Sequence, residues 1–464
     1  MTLVEQLSAT VGVKYVLRGD DRAAYLKDWR GQFCSDALAV VLPASTQEVA
    51  ACVRLLADHN VGIVPQAGNT GLVGGSVATD GEVIINVSRL NAIRDVDVAN
   101  NSMLIEAGVP LATARSVAAE HQRLFALDLS SAGSAQVGGN IATNAGGVNV
   151  LRYGTTRAQV LGLEVVLANG EVLALLEPLR KNTAGYDLKQ LFIGSEGTLG
   201  LITAANMALF AQPSTATTYW VTASDTAQMC RFAGQLQARF GNLFSAMELV
   251  PQIALELALL HQASLQRPGT NNGAHLLLVA DEVDPSDSMH ELNQWLAEQL
   301  NLDLVVDVIR ADSDRSADNL WAIRHAISDA QRQAGISIKH DIALPLSVID
   351  LFITQCTTAL EAFLPSIRIV SFGHLGDGNL HFNLSQPESM HAEAFREHAP
   401  ALSQIVHDHV LRFGGTLCAE HGVGLAKRVL LDRQLDVRTR ETMTAIKRAL
   451  DPKGILNPGK VLAP

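Results

Sequence analysis

Two histidines in the last third of the chain have the residue types and the spacing of metal ligands. His374 and His381 lie seven residues apart, on either side of a Gly-Asp-Gly-Asn turn at 376–379. If the flanking segments pair as a hairpin, the two imidazoles face each other in a geometry suited to one divalent metal. A third ligand must come from elsewhere, and Glu420, which precedes His421, offers a carboxylate. The alternative, that these histidines are ordinary hydrogen-bonded residues, stays open at this point.

A second group of residues could bind a carboxylate. Arg324 and Ser328 are four residues apart in a segment with a helical pattern, so they share one helix face. Lys339 follows eleven residues later, within an apolar segment that resembles a strand. Arg, hydroxyl and Lys together would form a fork for the second carboxylate of a substrate, which a monocarboxylate does not need. The alternatives are an exposed edge lysine and a surface arginine.

Glycine is concentrated in the first 200 residues, which hold 22 of the 36 glycines. The segment 65–76 follows a predicted strand, and its bare N–H groups could form a nest for a pyrophosphate; a flexible turn is the alternative. The segment 130–147 is made almost entirely of small residues, as required where backbone lies against a large flat ligand. No complete GxGxxG and no Walker A motif occurs in the sequence, which argues against a Rossmann or P-loop site.

These glycine-rich segments resemble the flavin domain of the vanillyl-alcohol-oxidase type, also called the PCMH fold. PQAGNTGLVGGS (65–76) is similar to the pyrophosphate loop of that family, SAGSAQVGGNIATNAGG (131–147) to its second FAD segment, and GSEGTLGLIT (194–203) to its third. The resemblance implies FAD, and Asn69 stands where members with covalent flavin commonly carry His, so we expect non-covalent FAD. The implied cofactor-binding residues are Gly68, Asn69, Thr70, Gly71, Gly74, Gly75, Ser134, Gly138, Gly139, Asn140, Thr143, Gly146, Glu196, Gly197, Ile202 and Asn457.

The motifs FGHLGDGNLHFN (372–383), CAEHGVG (418–424) and ILNPGK (455–460) resemble the FAD-linked 2-hydroxy-acid dehydrogenases that also carry a divalent metal. By that resemblance His374, His381 and Glu420 are the metal ligands, zinc is the expected metal, and His421 is the catalytic base. The substrate-binding residues that it implies are Arg324, Ser328, Lys339, Asn383 and His421.

The set Arg324, Ser328 and Lys339 is similar to that of the family members that oxidise D-2-hydroxyglutarate to 2-oxoglutarate, in which the middle position can be Thr. D-malate, one carbon shorter, is a further expected substrate. The rival functions are a D-lactate or glycolate dehydrogenase of the same fold and a non-catalytic flavoprotein subunit. An electron-transfer flavoprotein or a quinone is the expected electron acceptor, and a homodimer is the expected assembly.

The predicted chemistry is internally consistent. Oxidation of a CH–OH group requires removal of the hydroxyl proton and acceptance of the α-hydrogen as hydride. A metal bound to the hydroxyl and the α-carboxylate lowers the pKa of the hydroxyl. A neighbouring histidine, whose ordinary pKa is about 6.5, can take the proton, and flavin can accept the hydride.

The composition limits the partners and the environment. The net charge of −12 argues against nucleic acid as the main partner, because phosphate neutralisation needs a basic surface. Five scattered cysteines without a CxxC pair predict reduced thiols and a cytoplasmic protein. No run approaches the roughly 18 apolar residues of a membrane helix, so we do not expect an integral membrane protein. With 48% hydrophobic and 18% charged residues, the 464 residues can bury two or three cores.

The pattern of short strands and amphipathic helices predicts an α+β fold. We expect a PCMH-type FAD-binding domain at 1–212, a ferredoxin-like substrate and metal-binding cap domain at 213–424, and a C-terminal helical segment at 425–464 that returns to the FAD domain. Predicted strands are 37–42, 61–64, 83–87, 103–107, 163–167, 217–223, 275–283, 304–310, 368–373 and 381–384, and predicted helices are 46–60, 111–121, 227–240, 287–300, 316–334 and 438–450.

Overall fold

The polypeptide divides into two units, and the first of them is built from three separate pieces of the chain. The structure is a computed structural model that describes residues 1–283 and 287–463. The first unit comprises residues 1–147, 153–212 and 420–464, and the second comprises residues 148–152 and 213–419. The expected boundary at 212/213 is also a boundary of this division. The second expected boundary, at 424/425, lies five residues after the one at 419/420.

The first unit contains a four-stranded sheet, a five-stranded sheet and a pair of two-residue strands. Its strands are β1 (Val16–Leu17), β2 (Ala39–Val41), β3 (Ile63–Gln66), β4 (Val83–Asn86), β5 (Ile93–Asp97), β6 (Ser102–Glu106), β7 (Arg123–Leu124), β8 (Val160–Val166), β9 (Val172–Leu175), β10 (Leu201–Ala208) and β11 (Phe210–Ala211). The four-stranded sheet has the order β1-β2-β4-β3 with β2 and β3 parallel to β4. The five-stranded sheet, β5-β6-β10-β8-β9, is antiparallel throughout.

Three helices of the first unit, Leu3–Val11, Thr46–Asp58 and Leu111–Glu120, bury apolar residues in its hydrophobic core. The helix Thr46–Asp58 begins at Ser45, whose hydroxyl accepts a hydrogen bond from the Glu48 amide and so caps the first turn. It buries a face that recurs every three or four residues and includes Val49, Val53 and Leu56. The helices of this unit are Leu3–Val11, Thr46–Asp58, Leu111–Glu120, Val137–Ala142, Thr156–Gln159, Lys189–Phe192, Arg428–Gln434 and Val437–Leu450, with short 3-10 helices at Val13–Tyr15 and Gly19–Tyr25; Val150–Tyr153 includes residues of both units.

The last piece of the chain completes the four-stranded part of the first unit. Leu456 forms a parallel bridge with Ile63 of β3. The Ile63 amide donates to the Ile455 carbonyl and the Asn457 amide donates to the Ile63 carbonyl, each at 2.7 Å. Residues 455–457 therefore continue the backbone pairing of β3, although they are about 390 residues away in sequence.

The second unit is an eight-stranded antiparallel sheet flanked by long helices. Its strands are β12 (Thr215–Ala223), β13 (Phe244–Pro251), β14 (Ala274–Glu282), β15 (Asp307–Arg310), β16 (Ser337–Ile338), β17 (Asp341–Ala343), β18 (Arg368–His374) and β19 (Asn379–Ser385). The order is β15-β12-β14-β13-β18-β19-β16, and β17 also pairs with β19. Its helices are Thr226–Phe240, Gln252–His261, Ser288–Asn301, Asp314–Gln333, Ile349–Phe363 and Ala392–Arg412, with 3-10 helices at Gly241–Leu243, Leu346–Val348 and Leu375–Asp377.

All six predicted helices have their ends within two residues of the observed ones, and two details differ. The helix predicted at 316–334 begins instead at Asp314, because Ser313 is the cap and Ser316 is its partner in a reciprocal capping box. The C-terminal segment holds two helices, Arg428–Gln434 and Val437–Leu450, and not one. The strand β13 was not predicted, because its apolar run has no alternating pattern.

One stretch among the described residues, Leu346–Phe363, is long and apolar enough to span a membrane by length and composition, with a mean hydropathy of 1.3. The expectation that no run approaches this length was therefore too strict. One such helix is weak evidence, because core helices pass the same test. Here Ile349, Phe352, Cys356 and Leu360 recur every three or four residues and are buried, as in an amphipathic helix packed on one side.

All five cysteines are free thiols. Cys52, Cys230 and Cys356 are buried, and burial raises the pKa of each thiol to about 12. These three thiols are therefore protonated packing groups and not nucleophiles.

Lys447 joins the C-terminal helix to the rest of the first unit. Its ammonium donates to the Thr198 and Leu456 carbonyls and to the buried Asp451 carboxylate. We expect Lys447→Met to lower the free energy of unfolding by about 1–3 kcal/mol, because it leaves a buried carboxylate and two carbonyls without their donor. Urea unfolding followed by circular dichroism measures the change. Arg448→Met, at the exposed neighbouring position, is the control and should change it by less than about 0.5 kcal/mol; equal effects would contradict the role of Lys447.

Candidate functional site

The loop at 67–76 presents a run of main-chain N–H groups to a ligand. Within the described residues, none of the amides from Gly68 to Ser76 donates to a protein acceptor. The loop is held by Asn69, which has a φ of +52° and whose side chain donates to the Lys27 carbonyl and accepts from the Ser76 hydroxyl. Unpaired amides on a fixed loop form an anion nest, as the sequence predicts for a pyrophosphate.

Glycines allow the second segment to approach this loop closely. A Cβ on Gly68 would lie 2.0 Å from the Ser134 carbonyl oxygen, and a Cβ on Gly138 would lie 2.5 Å from the Ala107 Cβ. At Gly71 the added atom would meet nothing within 4 Å of the protein. The Asn140 side chain is buried, and its Nδ2 donates to nothing in the described part of the chain. An unpaired buried donor behind a small-residue surface fits a polar, flat ligand such as FAD.

Glu196 and Asn457 connect the glycine-rich segments to each other. The Asn457 Nδ2 donates to the Gly75 carbonyl at 2.9 Å and to the Glu196 carbonyl at 2.7 Å. The Glu196 carboxylate accepts from the amides of Val423 and Gly424 at 2.7 and 2.8 Å. Burial raises the pKa of Glu196, and the two amide hydrogen bonds oppose that rise. Both residues thus organise the predicted cofactor segments through hydrogen bonds within the protein.

The loop that carries His421 contains Gly422 and Gly424 and is held by hydrogen bonds to Glu196 and to Val73. Beyond the contacts with Glu196, the amides of Leu425 and Ala426 donate to the Val73 carbonyl of the nest loop. Gly424 has a φ of +49°, and a Cβ there would lie 2.3 Å from that same carbonyl oxygen. This position therefore requires glycine. The His421 loop and the nest loop form one hydrogen-bonded structure.

His421 and Glu420 are neighbours in space as well as in sequence. The His421 Nε2 lies 3.3 Å from the Glu420 Oε1, and both side chains are partly exposed. Glu420 is the first residue of the third piece of the first unit and follows directly on the last residue of the second unit. A partly exposed imidazole on a fixed loop can exchange a proton with a bound molecule.

The remaining predicted cofactor residues make contacts within the protein and lie on or next to the same glycine-rich segments. The Thr143 hydroxyl donates to the Gly139 carbonyl at 3.0 Å, and Gly197 has a φ of +72° and packs against Pro65. Ile202 is buried on β10. The other predicted positions lie on the nest loop or the second segment and are Thr70, Gly74 and Gly146.

The two predicted metal-ligating histidines lie on paired strands of the second unit. β18 and β19 form the expected antiparallel hairpin, with a turn that ends at Gly378 in the left-handed conformation at φ +82°. The rings of His374 and His381 have centroids 5.5 Å apart. Each ring offers a nitrogen within 4.8 Å of the other, which is close enough for both to bind one ion.

A buried glutamate, which the sequence analysis missed, fixes one of these histidines. Glu248 lies on β13 directly opposite His374 of β18 and is 1% exposed. Its Oε1 is 2.6 Å from the His374 Nδ1, and its Oε2 is 2.6 Å from the Arg324 Nε. Burial acts to raise the pKa of Glu248, but Arg324 and His374 outweigh it and hold that pKa far below its usual range. With Nδ1 occupied, Nε2 is the nitrogen that His374 can offer to a metal.

Arg324 is therefore not a free surface arginine. The Cζ of its guanidinium lies 4.9 Å from the centroid of the Phe372 ring. Of its nitrogens, only Nε donates to the Glu248 carboxylate. The terminal Nη atoms donate to no acceptor within the described residues, so they can serve a bound carboxylate. Ser328 is exposed one helical turn further on. Lys339 was predicted within a strand; it is exposed in the two-residue gap between β16 and β17.

Asn383 belongs to a small polar network inside the second unit. It is buried on β19, and its Nδ2 donates to the Gln331 Oε1 at 2.9 Å. Its Oδ1 has no hydrogen-bond partner in the part of the chain that the structure describes. Of the two amide atoms of Asn383, the Nδ2 is therefore used by Gln331, and the Oδ1 accepts no hydrogen bond from the described residues.

The sequence analysis missed two carboxylates beside the histidine strands, and one of them could have been found from its sequence context. Glu248 is the only charged residue in the apolar segment FSAMELV (244–250), and a lone carboxylate in such a segment needs a cationic partner. Asp341 follows His340 at the start of β17, directly opposite His381 of β19, and accepts from the Asn379 side chain. Both face the histidine strands, but neither belongs to a motif that the resemblance contained.

The donor set and the backbone cradle fit the two groups that the sequence predicts. Two imidazoles, one of them oriented by a carboxylate, are typical ligands of zinc and other divalent transition metals. The nest loop with its unpaired amides and the small-residue segment fit FAD.

Residues 37–175 match the family described as FAD binding domain, and residues 212–461 match the family described as FAD linked oxidases, C-terminal domain. A D-2-hydroxyglutarate dehydrogenase of Stutzerimonas stutzeri is 33% identical over 99% of this chain and 99% of its own length. The mitochondrial D-2-hydroxyglutarate dehydrogenase of Bos taurus is 36% identical over 94% of this chain and 78% of its own length.

Solved structures support the fold. A p-cresol methylhydroxylase with substrate bound matches 99% of this chain and 96% of its own with a TM-score of 0.79 at 17% identity. The 4-ethylphenol oxidase from Gulosibacter chungangensis matches the same shares with a TM-score of 0.75 at 18% identity. These neighbours confirm the predicted α+β, PCMH-type architecture. The chain belongs to the FAD-linked D-2-hydroxy-acid dehydrogenases of the vanillyl-alcohol-oxidase type.

Proposed function

We propose that this FAD-dependent dehydrogenase oxidises D-2-hydroxyglutarate to 2-oxoglutarate. The observation that carries the proposal is the pairing of Arg324 and His374 on the two oxygens of Glu248. It sets a guanidinium with unused terminal donors beside a proposed metal ligand, as a substrate with two carboxylates requires. The relatives from Stutzerimonas stutzeri and Bos taurus are named for the same substrate, which supports the proposal.

The proposed metal ligands are His374, His381 and Glu420. The close approach of the two rings and the Glu248 contact support the first two. Glu420 is proposed from the CAEHGVG motif and from its carboxylate, which zinc accepts alongside imidazoles. When bound, the metal would supply Lewis acidity toward the substrate hydroxyl, and the flavin would accept a hydride.

The chain's own residues divide the remaining work. His421 takes the hydroxyl proton at a ring nitrogen, since its loop is fixed by Glu196 and Val73 while its side chain stays partly exposed. Arg324, Ser328 and Lys339 bind the distal carboxylate, and the Asn383 amide helps to orient the substrate. Lys339 is exposed, so it contributes to substrate binding only when the distal carboxylate lies within reach of its flexible side chain.

Several finer assignments stay predictions. They are the oxidation of D-malate, an electron-transfer flavoprotein or quinone as acceptor, a homodimer and a cytoplasmic location. Non-covalent FAD is supported by Asn69, whose amide side chain is engaged with Lys27 and Ser76 and cannot act as a flavin nucleophile. A D-lactate or glycolate dehydrogenase is the second candidate, because Lys339 and Ser328 are exposed.

Anaerobic mixing of the purified holoenzyme with D-2-hydroxyglutarate tests the proposed reaction. We expect the flavin absorbance near 450 nm to bleach within the turnover time, and to bleach much more slowly with equal concentrations of D-lactate or L-2-hydroxyglutarate. Bleaching by D-lactate or glycolate alone would favour the second candidate. No bleaching by any of these acids would favour a non-catalytic subunit.

Replacement of the proposed base should slow flavin reduction without removing the cofactor. We expect His421→Asn to lower the rate of flavin reduction by D-2-hydroxyglutarate about 10²–10⁴-fold, the range for loss of a general base. Stopped-flow absorbance measures this rate, and FAD and metal contents show whether the site is loaded. His391→Asn, an exposed histidine at a helix cap, should leave the rate unchanged. A rate near that of the wild type in His421→Asn would eliminate this residue as the base.

Lys339→Met should discriminate between the two candidate substrates. Loss of one charge-assisted hydrogen bond costs about 1.5–3 kcal/mol, so we expect kcat/KM for D-2-hydroxyglutarate to fall about 10–150-fold. The value for D-lactate, which lacks the distal carboxylate, should change by less than about threefold. Steady-state kinetics with an artificial electron acceptor measures both. Arg332→Met, also exposed in the second unit, is the control; equal losses on both acids in Lys339→Met would contradict the carboxylate fork.

Removal of the metal should abolish turnover reversibly. Dialysis against a chelator is expected to lower kcat by at least tenfold while the FAD remains bound, because the predicted ligands of the two groups are separate residues. Added Zn²⁺ should restore activity, and metal analysis should return about one ion per chain. Full activity in metal-free protein would refute the proposed metal dependence.

A further inference from the structure

We propose that Glu248 is a positioning residue that couples the metal ligand His374 to the carboxylate-binding Arg324. The inference rests on the proposed function, in which these two residues act on opposite ends of the same substrate. A single buried carboxylate would then set both the nitrogen that His374 offers to the metal and the orientation in which Arg324 presents its terminal donors.

The geometry assigns one oxygen to each partner. The Glu248 Oε1 contacts the His374 Nδ1, and its Oε2 contacts the Arg324 Nε, both at 2.6 Å. Because His374 and Arg324 contact different oxygens of Glu248, the two hydrogen bonds form at the same time. Because a carboxylate is rigid and planar, a shift of one contact reorients the other.

The backbone allows this bridge little freedom. Glu248 of β13 is paired with His374 of β18 on one side. On the other side it is paired with Leu277 of β14. Arg324 comes from the helix Asp314–Gln333 and packs its guanidinium over Phe372. The bridge thus joins two neighbouring strands and a helix, and all its members lie in the second unit.

Simple charge neutralisation does not require this arrangement. A buried carboxylate is expensive, and one arginine in a bidentate contact would compensate for it. Here Arg324 gives only its Nε, which leaves its Nη atoms without an acceptor in the described residues, and the second oxygen is given to an imidazole. The arrangement thus leaves the terminal donors of Arg324 for a dicarboxylate and orients the His374 ring through its Nδ1.

Two separate effects should follow from loss of the charge. A carboxylate on the outer nitrogen of a metal-bound imidazole fixes the ring and strengthens the ligand, and its removal typically weakens metal binding 10–100-fold. An arginine without its anchor at Nε loses its fixed orientation, so the affinity for the distal carboxylate should also fall.

Glu248→Gln tests the coupling with two readouts. Titration of chelator-treated protein with Zn²⁺, followed by calorimetry, should give a Kd about 10–100-fold higher than in the wild type. With Zn²⁺ at saturation, KM for D-2-hydroxyglutarate should rise at least fivefold while KM for D-lactate changes by less than twofold. The first readout requires no activity, and the second separates the Arg324 effect from the metal effect.

Asp281→Asn is the matched control, because Asp281 is another buried carboxylate of the same sheet and lies 3.8 Å from Arg152. It should alter stability but neither the Zn²⁺ affinity nor the ratio of KM values. If Glu248→Gln does not fold, Glu248→Asp, which keeps the charge but shortens its reach, should give smaller changes in the same direction.

Wild-type Zn²⁺ affinity and wild-type KM values in the folded Glu248 variant would overturn the coupling. A change in only one readout would also overturn it, because Glu248 would then serve one partner alone. These outcomes are distinct from failure of the proposed function, which would appear in the wild type as no Zn²⁺ binding or no turnover of D-2-hydroxyglutarate.

Discussion

A carboxylate buried in an apolar sheet persists only if its charge is compensated, and Glu248 meets this condition with a histidine and an arginine. Each partner comes from a different element, so the bridge links β13 to both β18 and the helix Asp314–Gln333. Backbone pairing places the hairpin with His374 and His381 in the sheet, and the bridge orients the His374 ring within it. Packing of the surrounding apolar side chains adds stability but does not select these polar groups.

The first unit depends on a second polar arrangement. Glu196 and Asn457 use main-chain donors and acceptors to fasten the nest loop, the third glycine-rich segment and the His421 loop into one structure. The resemblance suggested that both residues bind the cofactor. In the structure the Glu196 carboxylate and the Asn457 Nδ2 bind the protein, and the buried Asn457 Oδ1 has no partner among the described residues. Their contact with the cofactor stays a prediction.

Sequence reasoning reached the parts of the molecule that local patterns encode. The glycine crowding indicated a backbone cradle, and the Gly-Asp-Gly-Asn turn between His374 and His381 indicated the hairpin, because turn chemistry and ligand spacing are local. The contacts of Glu248 were inaccessible, since they join residues 76 and 126 positions apart in sequence and depend on the order of strands in the sheet. The cap at Ser313 was missed because a serine three residues later has the same preference.

The order of the chain has a consequence for how the protein is made. The first unit includes residues 420–464, so its third piece emerges from the ribosome only after the whole second unit. Until then β3 lacks its neighbour at Leu456, and the nest loop lacks Asn457 and Gly424. A ligand that binds only the assembled first unit stabilises chains that contain residues 420–464 and not shorter ones. A chain without residues 420–464 would therefore lack part of the FAD cradle and the stabilisation that the bound cofactor gives.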